Sequence, residues 1–144
     1  MSKRHLAPES LMTKADNANK AARRALEDSD FDCASNRAYY AMFNAARAAL
    51  LASGAPIDLE QVRTHKGLIG NFGNYLVKTG KVSKELAYSL SDAQRTRITA
   101  DYDGDFVEPE YARLIVEQAE TFVTAMRVQF MPANGDDDDT GPGY

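Results

Sequence analysis

Apolar positions along the chain recur three and four residues apart, and no stretch alternates convincingly between apolar and polar residues. Such spacing is typical of amphipathic α-helices, whereas strict alternation would indicate strands. Glycine and proline interrupt the pattern around residues 54–56, 80, 104–109 and 132–143. The sequence therefore predicts about five helices joined by short connections. This arrangement favours an all-α fold, an antiparallel up-and-down helical bundle.

The predicted helices differ in the strength of their apolar faces, and the second and fifth have the strongest. The five segments are roughly residues 8–28, residues 31–53, Asp58 to Gly80, a fourth after Ser83, and a fifth that begins between residues 105 and 109. Gly67, Gly70 and Gly73 lie inside the third segment, where each glycine costs roughly 1 kcal/mol relative to alanine. They indicate either the close approach of a neighbouring helix or a break in the segment.

Length and composition indicate one domain with no demand for disulfides or metals. A chain of 144 residues can bury a sizeable core by itself. Its single cysteine, Cys33, excludes an internal disulfide and favours a reducing, cytoplasmic compartment. No apolar run approaches the roughly 20 residues of a membrane span. The two histidines and the cysteine are far apart in the sequence, so we predict no metal or other cofactor.

Charge is distributed unevenly along the chain. The formal net charge is −4, and the run Asp136 to Asp139 supplies four negative charges, so residues 1–135 are neutral overall. We expect residues 1–131 to form the bundle and residues 132–144 to be a disordered acidic tail, because the tail has little to bury. A solvated end is one interpretation of the tail, and a segment that covers a basic cleft is the other.

The stretch RTRITADYDG, residues 95–104, crowds charged groups at the end of the predicted fourth helix. An α-helix turns by about 100° per residue, so Arg97 continues the apolar line through Leu90 while Arg95 faces the opposite way. A cation on a core-facing line needs partners. Asp101 lies four residues on and is within reach. Arg97 is therefore either half of an ion pair at a helix end or the cation of an anion or phosphate site.

Two further groups of polar residues are candidates for function. Arg37, Tyr40, Asn44 and Arg47 follow one another at helical spacing beside the apolar face of the second helix. This stripe fits a solvated face, a subunit interface or a cleft wall, and its tyrosine and arginine favour an interface. His65 falls in the first turns of the third helix. It is either a capping or surface residue, or a proton-transfer group or phosphate ligand, because histidine titrates near neutrality.

Three stretches of the sequence resemble the HEPN domain family: SNRAYYAMFNAARAALLASG, THKGLIGNFGNYLVKTGKVSKEL and RTRITADYD. The resemblance covers roughly residues 8–128. It implies a helical bundle that forms a homodimer, and a toxin of a toxin–antitoxin pair or defence system whose partner is a minimal nucleotidyltransferase antitoxin. Active members of the family cleave RNA without a metal through an Arg-x(4–6)-His motif. The two motifs of a dimer meet in one cleft.

The resemblance also assigns roles to individual residues. Arg97 matches the motif arginine, and Tyr102 stands where the motif has histidine, so this chain reads Arg-x4-Tyr. Ile98 follows the arginine, where the family usually has a polar residue. The implied catalytic group is Arg97 on the scissile phosphate, Asp101 orienting it, and Tyr102 near the RNA 2′-hydroxyl. Asn36, Arg37 and Tyr40 would line the cleft, and His65 joins them as a candidate nucleic-acid or nucleotide-binding residue on the ground of its titration.

Three functions are consistent with these residues. The first is a toxin-like, metal-independent ribonuclease with a degenerate motif. The second is a non-catalytic module that binds RNA or a nucleotide, or acts with a nucleotidyltransferase. The third is a structural homodimer in which Arg97 and Asp101 only stabilise a helix end.

Overall fold

The computed structural model describes residues 7–102 and 106–131, with side chains described for residues 7–98 and 106–131. Throughout these residues the regular structure is helical, with no strand. The five α-helices are α1 (Pro8–Glu27), α2 (Phe31–Ala52), α3 (His65–Phe72), α4 (Lys84–Tyr102) and α5 (Pro109–Phe130). A 3₁₀ turn (Leu59–Val62) precedes α3 and a π-helical segment (Gly73–Val77) follows it. The predicted all-α bundle is confirmed.

Helix α2 is the centre of the bundle, because it packs against α1, α3, α4 and α5. Its buried positions are mostly alanine, which loses no side-chain entropy in a helix. Met42 and Leu50 are among its larger side chains and are fully buried. Burial of each such side chain stabilises the fold by roughly 1.5–3 kcal/mol. A helix enclosed on several sides can hold functional side chains at fixed positions around its circumference.

Helices α1 and α5 run antiparallel, as two ion pairs between them demonstrate. Arg23 binds Glu120 through both nitrogens of its fork, with an Nη2–Oε1 distance of 2.6 Å and an Nε–Oε2 distance of 3.1 Å. Arg127 binds Asp16. A step of seven residues forward along α1 therefore corresponds to a step of seven residues back along α5.

The third predicted segment is broken, which is one of the two alternatives that its glycines indicate. The predicted capping box is present, because the Asp58 carboxylate accepts from the Gln61 backbone N–H at 3.1 Å and the Gln61 side chain accepts from the Asp58 N–H at 2.9 Å. This box caps only the short 3₁₀ turn. Thr64 then caps a new helix, because its Oγ1 accepts from the Gly67 N–H at 3.0 Å. His65 is therefore the first residue of α3.

The glycines of this segment agree in part with each of the two interpretations, a close approach and a break in the helix. A methyl group at Gly67 would overlap the backbone carbonyl oxygen of Gln61, so the close approach is that of the preceding turn and not of a neighbouring helix. Gly73 begins the π-helical segment, where the regular helix breaks. Gly70 has open space where its side chain would be.

Other contacts join the ends of α4 to the bundle. Ser83 caps the start of α4, as predicted, by accepting from the Leu86 N–H at 3.2 Å. After α4, the Val107 N–H donates to the Asp32 carboxylate at the start of α2 at 2.9 Å. None of the helices in the described residues is long and apolar enough to cross a membrane. The predicted acidic tail, residues 132–144, lies outside the described residues.

Candidate functional site around Arg97

Arg97 lies on α4 with its guanidinium group against two aromatic rings of α2. Its Cζ atom is 5.1 Å from the centre of the Tyr39 ring and 5.8 Å from the centre of the Tyr40 ring. Both distances are within the range of a cation–π interaction. The Arg97 side chain is half-buried, so it lies at the edge of the core, where the helical wheel predicts it.

Arg95 lies on the opposite side of α4, where its side chain is exposed and bonds to neighbouring side chains. Its Nη2 donates to the Asp92 carboxylate at 2.8 Å and to the Tyr88 hydroxyl at 3.0 Å. The other oxygen of Asp92 accepts from the Tyr111 hydroxyl of α5 at 2.7 Å. The two arginines of this stretch are therefore separated as predicted, and Arg97 alone faces α2.

Tyr39 and Tyr40 are consecutive, so their side chains leave α2 about 100° apart. Tyr39 lies on the buried face and is 3% exposed, whereas Tyr40 lies at the edge and is 39% exposed. Their rings meet edge to face, with centres 5.0 Å apart. Arg97 therefore contacts one aromatic ring inside the core and one that is open to solvent.

His65 joins the site from a third element. Its Nδ1 atom lies 3.0 Å from the Tyr39 hydroxyl, in hydrogen-bonding distance. Burial lowers the pKa of His65, and the positive charge of Arg97 lowers it further. Burial raises the pKa of Tyr39 to about 12, against the opposing effect of Arg97. At neutral pH the site therefore contains one cation, a neutral phenol and a neutral imidazole.

A polar groove between α1 and α2 adjoins this cluster. It has a volume of about 440 Å³. The residues that line it are Lys14, Asn17, Ala18, Ala21, Arg37, Tyr40 and Asn44. This lining includes two cations and no carboxylate. Tyr40 belongs both to the groove and to the contact with Arg97, so the groove leads directly to the site.

Asn44, which lines the groove, is hydrogen-bonded to a half-buried arginine that does not line it. Arg47 donates from Nη1 to the Asn44 side-chain oxygen at 3.2 Å, and its guanidinium lies 5.4 Å from the centre of the Phe43 ring. Burial lowers the pKa of Arg47. Three residues of the predicted stripe of α2, Arg37, Tyr40 and Asn44, therefore line the groove, and Arg47 lies one turn beyond it.

The structure brings together three of the predicted residues: Arg97, Tyr40 and His65. Arg37 joins them through the groove. Asn36 is half-buried on α2 and does not line the groove.

Asp101 and Tyr102 lie in the last turn of α4, and their side chains lie outside the described residues. Their predicted roles therefore stay predictions.

Sequence reasoning missed Tyr39, because the wheel assigns it to the apolar face of α2. The available signal was its hydroxyl group, since a buried tyrosine usually hydrogen-bonds. Across residues 7–98 and 106–131, no three histidine, cysteine or acidic side chains are close enough together to hold a metal. The prediction that the chain needs no metal or cofactor stays a prediction.

The sequence matches the HEPN domain over residues 8–129. The chain belongs to the HEPN family. This HEPN protein is 36% identical over 115 residues to a UPF0332 protein of Gloeobacter violaceus, covering 78% of this chain and 87% of that protein. It is 36% identical over 107 residues to a UPF0332 protein of Thermotoga maritima, covering 73% and 76% of the two chains.

An archaeal relative has a name that states a function. This relative, from Methanocaldococcus jannaschii, is named "Putative toxin" and is 28% identical over 136 residues, covering 92% of the HEPN chain and 89% of its own length. The family predicted from three short stretches is confirmed. The matched range contains Arg97, both tyrosines of α2 and His65.

Proposed function

We propose that this HEPN protein is a toxin-like ribonuclease that cleaves RNA without a metal, with Arg97 as the group that binds the scissile phosphate. The observation that carries the proposal is the guanidinium of Arg97, held half-buried against the rings of Tyr39 and Tyr40; the resemblance to the family matches this residue to the motif arginine. The archaeal relative named as a toxin supports the toxin-like class.

The surroundings of Arg97 suit a phosphate. A guanidinium presents its N–H groups as a planar fork that matches phosphate oxygens. Contact with two rings restricts the Arg97 side chain, so less conformational entropy is lost when an anion binds. The exposed ring of Tyr40 offers a surface on which an RNA base can stack beside the bound phosphate.

The groove extends this site in a direction that an RNA strand can follow. Lys14 and Arg37 provide positive charge along it, and Asn17 and Asn44 provide amide groups for hydrogen bonds. Electrostatic attraction to phosphates supplies most sequence-independent affinity for nucleic acid. We assign this groove to the RNA strand next to the cleaved bond, with Arg37, Tyr40 and Asn44 on its α2 side.

The test compares the two arginines of α4 in one RNA-cleavage assay with a chelator present. Arg97→Ala is expected to reduce the cleavage rate by about 100-fold or more, as the loss of a transition-state donor does. Arg95→Ala is the matched control, because Arg95 lies on the same helix but faces solvent. It is expected to cleave at the rate of the unaltered protein. Equal rates for both variants would contradict the role of Arg97.

A second function is favoured by Tyr102, which replaces the motif histidine. Tyrosine with an ordinary pKa near 10 is a poor base at neutral pH. In this alternative the same site binds RNA or a nucleotide without cleaving it. Binding that Arg97→Ala abolishes, together with no cleavage by the unaltered protein, would establish the alternative. Unchanged binding and stability in Arg97→Met would leave Arg97 with a structural role.

The partners that the resemblance to the family implies are a further part of the proposal. We expect a homodimer that places two Arg97 sites in one cleft, and a minimal nucleotidyltransferase as antitoxin. Sedimentation of the purified protein tests the dimer, and co-purification with a nucleotidyltransferase encoded beside it tests the partner. A monomer at all concentrations would contradict the shared cleft.

A further inference from the structure

We infer that His65, positioned by the Tyr39 hydroxyl, is the group that removes the proton from the RNA 2′-hydroxyl in this site. The inference rests on the proposed function, because it names the base of the proposed cleavage. It assigns to α3 the role that the motif leaves open at Tyr102.

The first support is the convergence of three elements on one ring. Tyr39 of α2 contacts the guanidinium of Arg97 and also bonds to His65, whose ring centre is 5.8 Å from its own. A ribose 2′-hydroxyl and the adjacent phosphate are neighbours in the RNA backbone. A base and a phosphate-binding cation must therefore lie close together, and the shared contact with Tyr39 places His65 and Arg97 in that relation.

The second support is the arrangement of the two imidazole nitrogens. Nδ1 of His65 lies against the Tyr39 hydroxyl, and within residues 7–98 and 106–131 this is the hydrogen bond that the His65 ring makes. The proposed base requires the tautomer in which His65 Nδ1–H donates to the Tyr39 oxygen, one of the two directions that a hydroxyl partner allows. When Nδ1–H donates to the Tyr39 oxygen, Nε2 has the lone pair and is available to a substrate.

The third support is the charge state of the site. Two groups from neighbouring elements face His65, Arg97 from α4 and the Tyr39 phenol from α2, and the adjacent Lys66 on α3 is exposed. Burial and the charge of Arg97 hold the pKa of His65 below its usual value. Tyr39 stays neutral because its pKa is about 12. His65 is therefore unprotonated at neutral pH, the form that a general base requires.

The proposed step is an internal transfer within RNA. Nε2 of His65 takes the 2′-hydroxyl proton as the O2′–P bond forms, and the P–O5′ bond breaks. The leaving O5′ takes a proton from water, and the resulting hydroxide accepts the proton from His65. The products are a 2′,3′-cyclic phosphate and a 5′-hydroxyl end. Arg97 neutralises phosphate charge throughout the step.

The experiment measures single-turnover cleavage of RNA by His65→Gln, with Lys66→Gln as the matched control on the same exposed turn. His65→Gln is expected to lose about 100-fold or more in rate, the usual contribution of a general base, while its affinity for a 2′-deoxy RNA analogue stays within about threefold. Lys66→Gln is expected to cleave normally. Tyr39→Phe keeps the ring under Arg97 and removes the hydroxyl, so it is expected to slow cleavage less severely.

Two further readouts separate proton transfer from a structural role. Cleavage by the unaltered protein is expected to rise with pH through an apparent pKa below 6.5, the ordinary value for histidine, and His65→Gln is expected to lose this limb. Added imidazole is expected to restore part of the activity of His65→Ala. A purely structural histidine would respond to neither test.

The outcomes distinguish this inference from the function on which it rests. If His65→Gln cleaves normally while Arg97→Ala does not, the inference is overturned and the proposed ribonuclease stands. If the unaltered protein does not cleave RNA, both are overturned. Thermal unfolding of each variant accompanies the assay, and imidazole rescue of His65→Ala decides the case of a variant with lowered stability.

Discussion

Arg95 and Arg97 are two residues apart on α4 and have opposite environments, because that spacing turns the side chain by about 200°. Arg95 bonds to Asp92 and Tyr88 in solvent, where an ion pair contributes about 0–1 kcal/mol. Arg97 lies against the aromatic rings of α2, where its positive charge acts more strongly on the neighbouring side chains. Its effect on the pKa values of Tyr39 and His65 is one expression of that influence.

Tyr39 gives a prediction at alkaline pH. Its folded-state pKa of about 12 is above the ordinary value of 10, so the folded protein holds this proton more tightly than the unfolded chain. The resulting stability is fully present below about pH 10 and is lost as the pH rises through about 12. The free energy of unfolding in urea, measured against pH, is expected to fall less steeply in Tyr39→Phe. Parallel curves for the two proteins would contradict it.

The sequence predicts some residues of the site and misses others for a physical reason. The periodicity of α4 identifies Arg97, the helical spacing of α2 makes Tyr40 a candidate, and the titration of histidine near neutrality makes His65 one. Periodicity places Tyr39 in the core, which is correct, but it does not reveal the partner of its hydroxyl. The contact with His65 depends on where α3 begins, and that position depends on the interruption between the 3₁₀ turn and α3.

At the scale of helices, the third predicted segment differs most from the regular helix that its apolar spacing indicates. Its apolar spacing indicates a helix and its glycines leave a break open, and the chain forms a 3₁₀ turn with the predicted capping box, a short α-helix and a π-helical segment. Three glycines weaken the helix, and Thr64 offers a second cap. The break is what brings His65, at the start of α3, to Tyr39.

The glycines of α3 provide a matched pair of substitutions. Gly70→Ala is expected to raise the free energy of unfolding by up to about 1 kcal/mol, because alanine favours helix and Gly70 has open space around it. Gly67→Ala is expected to lower it, because the new methyl would overlap the Gln61 carbonyl. Urea unfolding of both variants measures the difference. Stabilisation by Gly67→Ala would contradict the close approach.

At the scale of the whole molecule, the first and last helices are joined by the ion pairs Arg23–Glu120 and Asp16–Arg127. All four side chains are partly exposed, so apolar burial around α2 is the main source of stability. Sequence periodicity predicts the helices and their antiparallel arrangement. It does not predict which charged side chains pair, because surface charges on both helices offer several combinations.

The Arg23–Glu120 pair allows a quantitative test. In a double-mutant cycle of Arg23→Gln and Glu120→Gln, we expect a coupling energy of about 0.2–1 kcal/mol at low salt. The coupling is expected to decrease at high salt, because solvent ions screen partly exposed charges. Thermal or urea unfolding of the four proteins supplies the values. A coupling that does not change with salt would show that the pair is shielded from solvent ions.

Because α1 and α5 are antiparallel neighbours, the order of the helices along the chain can be changed by circular permutation. Pro8 begins α1 at the same end of the bundle at which Phe130 ends α5. A short flexible linker can therefore connect these two points, since the entropy of closing such a loop grows only slowly with its length. New termini opened in the turn at Gly54 would yield a circular permutant in which α3 and α4 come first, with the Arg97 site intact.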